Sequence, residues 1–301
     1  MERQIPVIDY QTIHENLAKL SEVARTWGCF RLVNHGVSTT LMADWKSMSK
    51  ALFQRPIEIK KKIKEVIPRS GYRTSNAKNP NYEAFAFYNV NNSQVLSTFS
   101  SDLQLSAQQR EIMEMYTEAT SKLASDVANK LAISIGLANY TFEDLDWRFE
   151  VRINKYTTTP ETIGSCGVQL HTDDSFLTIL QDDECFGGLQ AMDRFGTFVD
   201  IHPLPNTFLV IFGDTAEAWS NGELRNAQHR VTCKDTGLRF STATFMEPSM
   251  DAIIQPHPIF LQGGQPPRYD PFTYKTLRIA GGDEKLRKQL GLKDWEFGSQ
   301  M

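Results

Sequence analysis

The sequence contains no long apolar run: the longest, Phe208–Phe212, falls far short of the roughly 20 residues that span a bilayer. It has no excess of positive charge either. Its 32 Lys+Arg stand against 36 Asp+Glu, a formal net charge of -4, so its electrostatics favour neither nucleic acid nor an anionic membrane. Cysteine is sparse. Cys29, Cys166, Cys185 and Cys233 are scattered without C-x-x-C spacing, which argues against a zinc knuckle or disulfide frame and for free thiols in a reducing compartment. The start, Met1-Glu2-Arg3-Gln4-Ile5-Pro6, has neither the apolar stretch of a signal peptide nor an Arg/Ser-rich transit character. Internal repeats and low-complexity linkers are missing too. The expectation is a cytoplasmic monomer without a nucleic-acid, membrane or protein partner.

What is present suits a globular chain. Hydrophobic residues at 41% and charged residues at 23% allow a full core within 301 residues. Leu17, Leu20, Val23, Ala24 and Trp27 recur at helical spacing, and Gly28 is placed to end that helix. A second helix is expected over 39–52 and a long one over 107–135, with Ile112, Met115, Tyr116, Ala119, Leu123, Val127, Ala128 and Leu131 as its buried stripe. Lys60, Lys61, Lys62 and Lys64 read as a solvated helix face. After Gly136 the texture changes to short β-branched and aromatic runs between Gly, Pro, Asn and Asp turns. Strands are expected at 149–156, 168–171, 176–181, 188–193, 197–200, 207–212, 229–233 and 238–246, and a last helix from near Asp283. Helices followed by many short strands imply an α+β chain whose core is a jelly-roll barrel.

Chemistry concentrates in the stretch Val168–Leu180. His171 and Asp173 stand two residues apart, so on an extended chain both side chains point to one face. They supply two-thirds of a 2-His-1-carboxylate facial triad, the ligand set of non-haem Fe(II) oxygenases. Among six histidines, His229 heads a later strand that an antiparallel barrel can lay beside the first. Further on, Arg239 and Ser241 share a strand face, a fork suited to the distal carboxylate of 2-oxoglutarate. Arg239 lies in an apolar run, where an unpaired charge is costly. Period 2 also puts Arg152, Asn154 and Tyr156 on one face of another strand, lining either a site or a purely structural polar network. His35 reads as structural.

These motifs occur together and in order with Ile5-Pro6-Val7-Ile8-Asp9, Trp27-Gly28-Cys29-Phe30, Asn34-His35-Gly36, Gly188-Leu189-Gln190, Phe212-Gly213-Asp214 and Trp219-Ser220-Asn221-Gly222. The chain thus resembles the plant-type Fe(II)/2-oxoglutarate-dependent dioxygenases from Ile5 to about Pro248. Ser70-Gly71-Tyr72, Asn79-Pro80-Asn81-Tyr82-Glu83-Ala84-Phe85 and Val168–Leu180 make it look most like the auxin-oxidising group. The resemblance implies a double-stranded β-helix (cupin-like) core with flanking helices, the long one packed on the barrel. It implies an N-terminal region over 1–140, the core over 146–250 and a C-terminal segment over 251–301. His171, Asp173 and His229 would bind Fe(II); Arg239, Ser241, Tyr156 and Asn154 would bind 2-oxoglutarate, with O2 as oxidant and ascorbate supporting activity. Phe245 matches a position that often stacks on substrate, and Arg152, Phe87 and Tyr72 are further candidates for the substrate pocket. The common Asn-Tyr-Tyr-Pro run is here Asn154-Lys155-Tyr156-Thr157, and Asp174 follows the metal Asp where the family varies.

The implied activity is oxidation, by default hydroxylation, of a small metabolite such as indole-3-acetic acid, in auxin catabolism. Two alternatives stand beside it: hydroxylation, desaturation or demethylation of an alkaloid, phenolic or terpenoid in plant specialised metabolism, and a non-catalytic metal-binding cupin module.

Overall fold

A computed structural model describes residues 4–75, 81–137 and 146–292. Asn79 and Pro80 of the motif above lie outside them. Strands β1 (Val7–Asp9) and β2 (Cys29–Val33) bracket helix α1 (Leu17–Thr26). Next come α2 (Thr39–Phe53), the single turn α3 (Ile57–Lys60), the antiparallel pair β3 (Gly71–Arg73) and β4 (Tyr82–Tyr88), then α4 (Ser93–Asp102) and the long α5 (Ala107–Ser134). The second half runs β5 (Arg148–Thr158), β6 (Cys166–His171), β7 (Leu177–Gln181), β8 (Leu189–Met192), β9 (Phe198–Asp200) and β10 (Phe208–Phe212). After α6 (Asp214–Trp219) come β11 (His229–Thr232) and β12 (Gly237–Glu247). A small pair, β13 (Ile253–Ile254) with β14 (Phe272–Thr273), precedes α7 (Tyr274–Ala280) and α8 (Glu284–Gln289).

Two sheets form the core. The larger has the order β1-β2-β10-β7-β12-β5-β4-β3 and the smaller β6-β11-β8-β9. Strands distant in sequence become neighbours, as where β7 sits between β10 and β12, which is the crossover pattern of a double-stranded β-helix.

The pleat decides which side each residue serves. On β12, Thr242 accepts from Trp45 Nε1 of α2 at 2.9 Å and Thr244 donates to Thr120 of α5 at 3.0 Å. Phe240 and Met246 join the same helix-facing core, with Val151 and Ile153 from β5. The alternate residues Arg239, Ser241, Ala243 and Phe245 line a cavity between the sheets. The long helix therefore packs on the outer face of the larger sheet and leaves the inner face for a site.

Local signals explain the element ends. Ser38 caps α2 by accepting from Leu41 N–H, and Ser106 with Gln109 forms a reciprocal capping box on α5. Gly28 has φ +69°, and a Cβ there would come within 2.2 Å of the Arg225 carbonyl oxygen, so glycine is required by both backbone and space. His35 is buried, its Nε2 3.1 Å from the Asn206 carbonyl oxygen and its ring against Phe208. All four cysteines are free.

Two sequence expectations need correction. Met115 is half exposed, and Met113 takes the buried place; the helix stripe also accommodates Thr117 and Thr120, which a purely apolar template passes over. Lys60 is not solvated: it is buried and pairs with Glu83 at 2.6 Å while donating to the Phe53 carbonyl at 3.1 Å. Helices α4, α6 and α7 are further additions to that reading; α6 and α7 run only six and seven residues, too short for a periodic pattern to declare itself.

Trp45 joins the helix layer to the sheet. It is fully buried, stacks on Tyr116 with ring centroids 4.3 Å apart, and bonds to β12. Trp45→Ala should destabilise the fold by about 3–5 kcal/mol, read as a lower urea midpoint.

Candidate metal centre and active site

Strands β6 and β11 pair antiparallel with His229 directly opposite His171. Their rings lie 4.1 Å apart, and the Nε2 atoms of both stand 3.8 Å from Asp173 Oδ1. The three ligand atoms fall within 4.8 Å of one another and could hold a metal ion. Each imidazole is oriented by its other nitrogen. His171 Nδ1 is 2.8 Å from the Gln169 carbonyl oxygen and His229 Nδ1 is 2.9 Å from that of Ala227. A carbonyl can only accept, so Nδ1 carries the proton and Nε2 keeps its lone pair for a cation. Asp173 Oδ2 accepts from the Thr178 hydroxyl at 2.6 Å, leaving Oδ1 toward the histidines. Desolvation in the cavity, and then the adjacent His229, push the His171 pKa down to about 4, so the ring is a neutral donor at physiological pH.

The cavity beside this centre is lined by nine of the expected residues: His171, Asp173, His229, Arg239, Ser241, Tyr156, Asn154, Phe245 and Arg152. Arg239 lies beneath Tyr156, 4.9 Å from guanidinium carbon to ring centre, and pairs with Asp182 through Nη2. Its Nε and Nη1 are buried without a hydrogen-bond partner. Burial alone would lower the Arg239 pKa, but Asp182 and Tyr156 raise it, so the charge is retained. Ser241 accepts from Asn154 Nδ2 at 3.2 Å, and Asn154 Oδ1 accepts from the Tyr82 hydroxyl at 2.7 Å. Leu180, Leu189, Ile211 and Val231 supply apolar walls.

Arg152 lines the cavity with its guanidinium 5.5 Å from the Phe245 ring centre. Its Nη2 donates to Glu150 at 2.7 Å and to the Arg69 carbonyl at 3.0 Å, and its Nε has no partner. Two further arginines reach the cavity. Arg69 pairs with Asp174, and Arg278 binds Glu247 at 2.6 Å and Glu150 at 2.5 Å. Burial pushes the Glu247 carboxyl up to about 7 against the pull of Arg278.

Phe87 and Tyr72 do not belong to this wall. Phe87 pairs in register with Val151 and is wholly buried in the helix-facing core against Phe85 and Phe99. Tyr72 lies opposite Phe85, its ring 4.9 Å from that ring and its hydroxyl on Glu83. Both occupy the outward phase of the pleat. The inward aromatic of that sheet edge is Tyr82, in register with Tyr156. Sequence reasoning also missed Thr178, Asp182, Arg69, Glu247 and Arg278. The first two lie in or just beyond a stretch already singled out; the others converge only through tertiary structure.

Comparison with known proteins agrees with this geometry. Residues 148–248 match the 2OG-Fe(II) oxygenase superfamily, and residues 5–125 match the family described as non-haem dioxygenase in morphine synthesis N-terminal. The 2-oxoglutarate-dependent dioxygenase DAO of Oryza sativa subsp. indica is 38% identical over 289 residues, covering 93% of this chain and 96% of that protein. The chain belongs to the 2OG-Fe(II) oxygenase superfamily. The structure of dioxygenase for auxin oxidation 1 from Arabidopsis thaliana, as its 2-oxoglutarate binary complex, superposes with a TM-score of 0.83 at 47% identity, covering 87% of this chain and 100% of that one. Dioxygenase for auxin oxidation from rice gives 0.84 at 37% identity, with 97% and 98% covered.

This oxygenase therefore works with Fe(II) and 2-oxoglutarate on a small-molecule substrate. Its donor set fits the metal: two imidazole nitrogens and one carboxylate oxygen converge as the 2-His-1-carboxylate set of non-haem Fe(II) oxygenases. No described helix is long and apolar enough to cross a membrane. Adding Fe(II) under argon at about 100 times its dissociation constant should stabilise the native protein by about 2.7 kcal/mol. Asp173→Ala should abolish that thermal shift.

Proposed function

We propose that this oxygenase hydroxylates a small aromatic carboxylic acid, with indole-3-acetic acid as the leading substrate. His171, Asp173 and His229 would hold the iron. Arg239 and Ser241 would grip the distal carboxylate of 2-oxoglutarate, with Tyr156 and Asn154 fixing that end of the cavity. When bound, iron with 2-oxoglutarate and O2 supplies the oxidising power, with succinate and CO2 as by-products. The protein's part is positioning. Asp182 holds the Arg239 guanidinium so that Nε and Nη1 remain available to a carboxylate. The apolar walls exclude water from the reacting end.

The observation that carries the substrate class is the pairing of Phe245 with Arg152, an aromatic wall beside a guanidinium whose Nε lacks an acceptor. Identity of 47% and 37% to two proteins named for auxin oxidation supports the narrower choice. The cavity takes Tyr82 from region 1–140, its strands from 146–250 and Arg278 from 251–301, so the three regions act as one unit.

Purified enzyme with Fe(II), ascorbate and 2-oxoglutarate should release succinate faster when indole-3-acetic acid is added. No stimulation by that acid, together with stimulation by a neutral alkaloid, would overturn the acid reading. Arg239→Ala should raise the KM for 2-oxoglutarate by about 100-fold, since a charge-assisted pair is lost. Arg152→Gln should instead raise the KM for the acid substrate and leave that for 2-oxoglutarate near the parent value.

A further inference from the structure

The residue between the two ligands of the first motif has a partner at the far end of the chain. Thr172 is buried, and its hydroxyl accepts from Arg287 Nη2 at 3.0 Å. Arg287 stands on α8, is 1% exposed and does not line the cavity. It lies well beyond residue 248, where the oxygenase match ends. Its Nη1 donates to Asp214 Oδ2 at 2.6 Å.

Asp214 joins the two halves of the metal centre. Its backbone N–H donates to the Asp173 carbonyl at 2.8 Å, and its Oδ1 accepts from Asn226 Nδ2 at 2.7 Å. Asn226 precedes Ala227, whose carbonyl orients His229 and whose N–H is tied to Phe212 at 3.1 Å. The approach is close: a Cβ on Gly213 would fall 2.3 Å from the Ser175 carbonyl oxygen and 2.5 Å from that of Asp173. The turn bearing Asp173 and the segment leading to His229 thus meet at one buried carboxylate, and Arg287 both neutralises it and reaches Thr172.

We infer that Arg287 is a positioning residue for the metal centre. From the C-terminal helix it fixes the spacing of His171 and Asp173 through Thr172, and that of Asp173 and His229 through Asp214, and so sets the affinity for Fe(II). The inference rests on the assignment of iron to those three ligands. Outer partners that orient first ligands govern metal affinity because a ligand held off its bonding direction must be reorganised at each binding event. A merely structural arginine would affect melting and leave the affinity of the folded protein alone.

The test is anaerobic titration of the full chain with Fe(II) alone. Thr172→Val keeps the shape and removes the acceptor; it should weaken binding about 10-fold, and Thr172→Ser should restore it. Arg287→Lys keeps one charge but cannot serve both partners, and should weaken binding similarly. The double variant Thr172→Val with Arg287→Lys should be no worse than the weaker single one, because both changes remove the same link. In the parent protein, Fe(II) should slow amide exchange in α8, by reciprocity of the coupling, and this readout needs no variant. Parent affinity in folded Thr172→Val, equal loss in Thr172→Ser, additive effects, or unchanged α8 exchange would each overturn the inference. A parent protein that takes up no Fe(II) would overturn the iron assignment as well.

Discussion

A histidine that serves a metal through one nitrogen must have the other held, and here the extended backbone does the holding. His171 and His229 each direct Nδ1 to the carbonyl two residues earlier, a bond that strand geometry places within reach. The antiparallel register of β6 and β11 then sets the two Nε2 atoms side by side, and Thr178 turns the Asp173 carboxylate toward them. Everything else in the core keeps these strands in place. The larger sheet lines the cavity with β5 and β12 and leans its other face on α2 and α5. Helix packing outside and chemistry inside are two phases of the same pleat.

That economy explains what could be read from the chain. Along β5 and β12 the alternation is plain: Val151 and Ile153 against Arg152, Asn154 and Tyr156, and Thr242 and Thr244 against Arg239, Ser241 and Phe245. The ligands were legible because a metal demands particular side chains at particular strand positions. Tyr72 and Phe87 misled because their type suits an aromatic wall, whereas their facing depends on register with neighbours: Phe87 meets Val151, and Tyr82, the better placed ring, meets Tyr156. Lys60 misled for a related reason, since its partner Glu83 lies on a distant strand. Arg278 and Arg287 come from short C-terminal helices, and no local pattern declares where such a helix docks.

Three arginines, Arg69, Arg152 and Arg278, line one side of the cavity and are balanced by Glu150, Asp174 and Glu247. Buried pairs of this kind add little net stability, because desolvation consumes most of the Coulombic gain. Their effect is directional. Arg152 and Arg278 donate to the carbonyls of Arg69 and Pro68, and Arg69 returns to Asp174 and to the Arg278 carbonyl. A loop from the first third of the chain, a helix from the last and the metal-bearing turn are thereby laced into one rim.

The smaller sheet ends at β6, so His171 sits on an edge strand while His229 lies on β11, flanked on both sides. Exposure follows: 29% of the His171 side chain is open against 8% for His229. Edge strands detach at lower cost than flanked ones, because fewer ladder bonds must break. Of the two imidazoles, His171 therefore stands on the strand held by fewer ladder bonds, and His229 on one held from both sides.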